Sequence, residues 1–222
     1  MPGAAERRIV WRMPQPLSRR EVLQRCAALG LLVAAPSFGG PLADAFAEAE
    51  NGTRPPTPSN ALGPFYRRGA PVAHDLRGAN DPGLPLLVVG AVFDTRGEPR
   101  PDATVEVWQA DHLGHYDIDG YRYRATFGAD AKGVYEFTSV MPGHYPDRVA
   151  QHVHYMVKAP GCKPLVTQLY FATDPVFEGD PDQKFSKDPL VQSRELVRPV
   201  LLTGDPKDPM ARVTFELCLE RL

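Results

Sequence analysis

From residue 86 onward the chain reads as short apolar or alternating runs separated by turn residues. Leu86 to Asp94 is an unbroken strand-like run, closed by Thr95-Arg96-Gly97-Glu98-Pro99. Ala103 to Ala110 follows, with Val105 and Val107 on one face of a two-residue period. After a loop holding Tyr116, the turn Ala129-Asp130-Ala131-Lys132-Gly133 leads into Val134 to Val140. Gln151 to Ala159, Leu165 to Ala172 and Ala211 to Leu219 complete the set of expected strands. The one helix expected lies around Asp188 to Val197. Short strands, Gly/Pro/Asp turns and no long helical period predict an all-β fold. The expected form is an antiparallel β-sandwich with long loops and at most one or two short helices.

Composition agrees with that picture and narrows it. At 222 residues, 43% hydrophobic and 23% charged, the chain suits one globular domain with appendages. Its 24 prolines and 19 glycines favour turns over long helices. No run of 18 apolar residues offers an ordinary membrane span. Residues 1–47 read instead as a targeting leader: Ser18-Arg19-Arg20-Glu21-Val22-Leu23 looks like a twin-arginine signal, followed by the apolar Ala27 to Ala35 and by Ala45-Phe46-Ala47 at the cleavage position. Residues 48–60 read as a Pro-rich linker, leaving 61–222 as the folded domain. The expected compartment is periplasmic or extracellular, reached by the chain already folded.

Loss of the leader changes the charge. It would take six of the 25 basic and three of the 27 acidic residues, leaving a net charge near −5. That balance speaks against nucleic-acid partners and, after export, against an anionic membrane. Cys162 and Cys218 would remain where disulfides are permitted, and two independent buried thiols are favoured over a bridge.

The candidate chemistry lies in Tyr145-Pro146-Asp147-Arg148-Val149-Ala150-Gln151-His152-Val153-His154. On a strand, His152 and His154 point to the same side a few ångströms apart. Two imidazoles so placed suit a metal, or simply a polar surface row. Upstream, the triplet Gly-His-Tyr occurs twice, as Gly114-His115-Tyr116 and Gly143-His144-Tyr145.

An ordered set of motifs carries a resemblance. Val105-Glu106-Val107-Trp108-Gln109-Ala110, then Gly-x-Tyr at Tyr116, Pro142-Gly143-x-Tyr145-Pro146, His152-x-His154 and Thr167-Gln168-Leu169-Tyr170-Phe171 resemble the intradiol ring-cleavage dioxygenases. Thr57-Pro58-Ser59 with Gly63-Pro64-Phe65-Tyr66 is similar to the protocatechuate-type members, and the resemblance spans roughly residues 57–219. It implies a non-haem Fe(3+) held by Tyr116, Tyr145, His152 and His154. It also implies a catechol-type substrate opened by O2 between its two hydroxyls. Two tyrosinates and a hydroxide would balance the +3 charge, and a phenol, with a pKa of about 10, ionises at neutral pH only with such cationic help.

In the family Tyr145 would be the ligand that leaves when substrate binds. Tyr116 and His152 would stay equatorial, with His154 opposite Tyr145. Gln168 matches a pocket-lining position. The family's arginine, usually three residues before the first histidine in Arg-Pro-Ala-His, lies one residue further away here, so Arg148 is expected in its role through a bulge, with Gln151 or loss of the role as the alternatives. His115 and His144 are expected to point away from the metal. The chain is expected to act as a monomer or homo-oligomer.

Two other classes compete with this reading. A 2-His-1-carboxylate iron(II) site would recruit Asp147 or Asp117. A transthyretin-like binding module would explain the strands but not four convergent donors. A cupin-type site would require a glutamate where Lys158 stands.

Overall fold

The computed structural model describes residues 52–222 except Pro146 and Asp147. The expected leader, residues 1–47, and the candidate ligand Asp147 therefore lie outside the described residues. The described residues form ten strands: β1 (Pro85–Asp94), β2 (Thr104–Trp108), β3 (Arg124–Gly128), β4 (Val134–Val140), β5 (His152–Lys158), β6 (Leu165–Phe171), β7 (Val197–Arg198), β8 (Val200–Asp205), β9 (Asp208–Thr214) and β10 (Leu217–Leu219). Among the described residues one short α-helix, α1 (Pro181–Lys184), accompanies three 3-10 turns.

In the first sheet β1 is central, pairing antiparallel with β4 and parallel with β9 and β10, while β8 flanks β9. The second sheet runs β3-β2-β5-β6-β7, antiparallel except for the last pair. The all-β class is as expected. The parallel pairs are additional, because periodicity reports which face a residue occupies and not which strand lies beside it.

The helix expected at Asp188 to Val197 does not form. Pro189 holds Asp188 extended, with ψ of 116°. The Asp188 carboxylate then accepts from the Leu190 amide at 2.9 Å, and only a 3-10 turn, Arg194–Leu196, follows. The α-helix forms earlier, where Asp180 caps the turn and Pro181 opens it. The strands β3, β7 and β8 were not expected, and the run Ala211 to Leu219 divides into β9 and β10. Cys162 and Cys218 are both buried free thiols.

Alternation along β5 decides where the chemistry can sit. Val153, Tyr155 and Val157 are fully buried toward the first sheet, where the Tyr155 ring packs 6.4 Å from Tyr135 and 5.2 Å from Phe215. Burying each such side chain contributes roughly 1.5–3 kcal/mol. His152 and His154 are consequently on the outer face of the second sheet. Register aligns Arg124, Trp108, His154 and Gln168 in one row across β3, β2, β5 and β6, and sets His152 beside Tyr170.

That row is buried because residues 57–66 cross over it. The Asn60 amide donates to Val166 O at 2.8 Å. The Thr167 hydroxyl donates to Pro58 O and the Gln168 amide to Ala61 O, each at 2.7 Å.

Candidate metal centre

Two histidines and two tyrosines from separate segments meet on this outer face. The His152 and His154 ring centroids are 4.8 Å apart. His152 Nδ1 lies 2.8 Å from Ala150 O, and a carbonyl can only accept, so Nδ1 carries the proton. The Nε2 lone pair then faces the Tyr145 hydroxyl at 3.3 Å and the Tyr116 hydroxyl at 3.5 Å. His154 is buried, and neither of its ring nitrogens has a hydrogen-bond partner.

The repeated Gly-His-Tyr has a steric reason. A Cβ on Gly114 would sit 1.9 Å from His144 O, and one on Gly143 would sit 2.5 Å from the Gly114 nitrogen. The loops carrying Tyr116 and Tyr145 therefore cross backbone against backbone at their glycines. This brings the two phenol rings to 5.7 Å, edge to face. The intervening histidines point away, as expected: His144 Nε2 is 3.0 Å from buried Asp174, and His115 is exposed.

Burial keeps the four donors uncharged. Burial pushes the Tyr116 phenol far above its ordinary range and raises Tyr145 as well. Burial, reinforced by the Arg148 charge, pushes His152 down to about 3. His154 is held well below its ordinary value by burial and by neighbouring His152. All four groups are thus neutral at pH 7, with imidazole lone pairs ready to coordinate. The unpartnered nitrogens of His154 and the phenols fit a hard, highly charged ion able to ionise them.

Among the described residues no three His, Cys, Asp or Glu side chains cluster as a metal site; half of this donor set is tyrosine. Asp117, the other carboxylate considered, accepts from the amides of Asp119, Gly120 and Arg122 and is committed to its own turn.

Arg148 and Gln168 join the site from the loop before β5 and from β6, in that order. The Arg148 guanidinium is buried and donates to Gln168 Oε1 at 3.0 Å, Tyr170 Oη at 2.9 Å and Asp188 at 3.3 Å. Gln151, the alternative, donates instead to Pro142 O.

Three residues of this surround were not singled out in the sequence. Asp188 also accepts from the Ala150 amide at 3.2 Å, so it steadies the carbonyl-bearing residue that orients His152. Arg124 donates to Phe65 O at 2.6 Å and Asp117 O at 3.0 Å, tying the covering segment to the Tyr116 loop. It follows Tyr123, whose φ of 54° is a strained backbone costing about 1–3 kcal/mol. Tyr170, pushed up to about 12 by burial, is a donor and acceptor in the Arg148 network. Strand register unites Arg124 and Tyr170 with the ligands, and side-chain hydrogen bonds from a distant loop bring in Asp188; neither signal is present in a single sequence.

The profile of a family described as Dioxygenase matches residues 61–221. Catechol 1,2-dioxygenase 2 of Acinetobacter lwoffii is 35% identical over 159 residues, covering 60% of this chain and 58% of that protein. Hydroxyquinol 1,2-dioxygenase of Nocardioides simplex is 34% identical over 191 residues, covering 73% and 64%. The chain belongs to the intradiol ring-cleavage dioxygenase family. Among solved structures of the family's fold is the dioxygenase domain of a dioxygenase–carbohydrate-binding protein fusion from Streptomyces sp. SirexAA-E. It is 32% identical with a TM-score of 0.64, covering 76% of this chain and all of that one. The chain spans less than two thirds of the length of the two curated intradiol dioxygenases. The matched range contains Tyr116, Tyr145, His152 and His154 and begins where the covering segment reaches the site.

Proposed function

We propose that the protein is an iron(III)-dependent intradiol dioxygenase. It opens a catechol-type ring between its two hydroxyls with O2, giving a muconate-type diacid. The observation that carries this reading is the convergence of the Tyr116 and Tyr145 hydroxyls on the His152 Nε2 lone pair, beside a His154 whose nitrogens have no protein partner.

Tyr116 Oη, Tyr145 Oη, His152 Nε2 and one nitrogen of His154 would hold the metal. Iron(III) there would supply the positive charge that ionises both phenols and favours a catechol in its deprotonated form. Tyr145 is the residue placed to accept a substrate proton at Oη, since the Arg148 charge beside it opposes the effect of burial, whereas Tyr116 is stacked on Phe65 and raised further. The Arg148–Asp188 pair presents a positive group beside Tyr145 without leaving a buried charge unpaired. Phe65, stacked on Tyr116 at 4.2 Å, shields one face of that phenol from water. Residues 18–47 support export in folded form, and a twin lysine replacement of Arg19 and Arg20 is expected to retain the precursor in the cytoplasm.

The test is purification with iron, followed by a visible spectrum and oxygen uptake on a panel of catechols. A red, tyrosinate-type colour with uptake on at least one catechol is expected. A pale iron-containing protein would return the site to the iron(II) class, and no uptake across the panel would sink the activity.

A further inference from the structure

We propose that Trp108 is the positioning residue that sets the ring plane of His154, and that the segment Gly63–Tyr66 holds it in place. The inference rests on the reading of His154 as a metal ligand. A histidine that binds a metal usually donates its second ring N–H to a carbonyl or carboxylate, which fixes both tautomer and plane. His152 follows that rule through Ala150 O. His154 does not: neither buried nitrogen makes a well-formed hydrogen bond, although the Ala61 backbone lies near the ring. Rotation about its terminal torsion is intrinsically broad, so packing must supply what hydrogen bonding does not.

The packing is specific. Trp108, the cross-strand partner of His154, lies face to face with the imidazole at 4.9 Å between centroids and 4° between planes. In a closely packed interior, tilting the imidazole would drive its edge into the indole. Gly63 abuts the same ring: a Cβ there would be 3.0 Å from His154 Cε1, and its φ of 74° also favours glycine. Three residues on, Tyr66 packs against the far partner of the stack, 5.0 Å from Trp108. The Tyr66 hydroxyl donates to Glu106 at 2.9 Å, and Glu106 accepts from Lys158 at 2.9 Å. One short segment therefore touches both the imidazole and the indole that covers it.

The indole is not retained for its own hydrogen bond. Trp108 Nε1 is buried with no acceptor, a cost that an apolar side chain of similar breadth would not carry. What Trp108 contributes that Leu would not is a flat face of the right extent.

The test uses the whole chain with Trp108→Leu and Trp108→Phe beside the wild type. In the metal-free protein, the His154 Cε1 proton, assigned by its disappearance in His154→Gln, is expected to show an upfield ring-current shift. Trp108→Leu is expected to abolish that shift. Iron affinity, read by competition against a chelator, is expected to fall on the order of 10-fold in Trp108→Leu and several-fold less in Trp108→Phe. Unchanged iron affinity in Trp108→Leu, or equal losses in both variants, would reduce Trp108 to core filling and overturn the proposal. A wild type that takes up no iron would overturn the proposed function instead. The proton shift would then still decide whether Trp108 covers His154.

Discussion

The two histidines of β5 sit two residues apart and are held by different physics. His152 is fixed by a chain of hydrogen bonds: its Nδ1–H to Ala150 O, the Ala150 amide to Asp188, and the Arg148 guanidinium to Asp188. His154 is fixed by contact with Trp108 and Gly63 and has no hydrogen bond. The first arrangement depends on charge balance in a buried network, where the loss of one partner exposes the rest. The second depends on shape, where the loss of volume or of a flat face is what matters. One metal centre thus has two failure modes.

The largest effect should come from the charged side. Asp188→Ala leaves the Arg148 guanidinium, only 7% exposed, without its counterion. Stability should fall by about 3–5 kcal/mol, read by denaturant titration, because a buried charge is stranded. Asp188→Asn should cost less while still weakening iron binding. If Asp188→Ala were no worse than an ordinary surface change, the His152 side would not be governed by this network.

Next are the two tyrosines, which meet at His152 Nε2. Tyr145→Phe should keep iron with a shifted spectrum, and turnover should drop on the order of 10²-fold as a proton acceptor is lost. Tyr116→Phe should be worse for iron retention. Iron content, spectra and oxygen uptake on both variants check this; identical behaviour would erase the proposed division of labour.

Acid should act mainly on the neutral imidazoles. The folded-state pKa of His152, about 3, lies below the ordinary value near 6.5 because burial disfavours the charged ring. Between those values the unfolded chain binds the extra proton, so stability is full above about pH 6.5 and declines as pH falls toward 3. Thermal melts of metal-free protein across that range should show the decline, and His152→Gln should lessen it, leaving the share of His154. A flat wild-type profile would contradict neutral burial.

The smallest effect should come from Tyr66→Phe, which removes one hydrogen bond to Glu106 but keeps the ring on Trp108. A loss of about 0.5–1.5 kcal/mol in stability is expected, with iron affinity nearly unchanged. A large iron loss would mean that Trp108 is held by that bond and not by packing.

The sequence itself determined the two-residue period that sets Val153, Tyr155 and Val157 inward and His152 and His154 outward. Local sterics also made the Gly-His-Tyr repeats legible, since glycine marks where backbones approach. The order of motifs pointed to the family, and Arg148 was legible as a nearby cation despite its offset. Tertiary structure alone decided which strands adjoin, and therefore that Arg124 from β3 and Gln168 from β6 flank the Trp108–His154 pair. It also decided that Asp188, 40 positions beyond Arg148, would become its counterion and not open a helix. Periodicity is encoded within each strand and can be read there; register and the covering of one face arise only when segments far apart in the chain compete to bury the same surface.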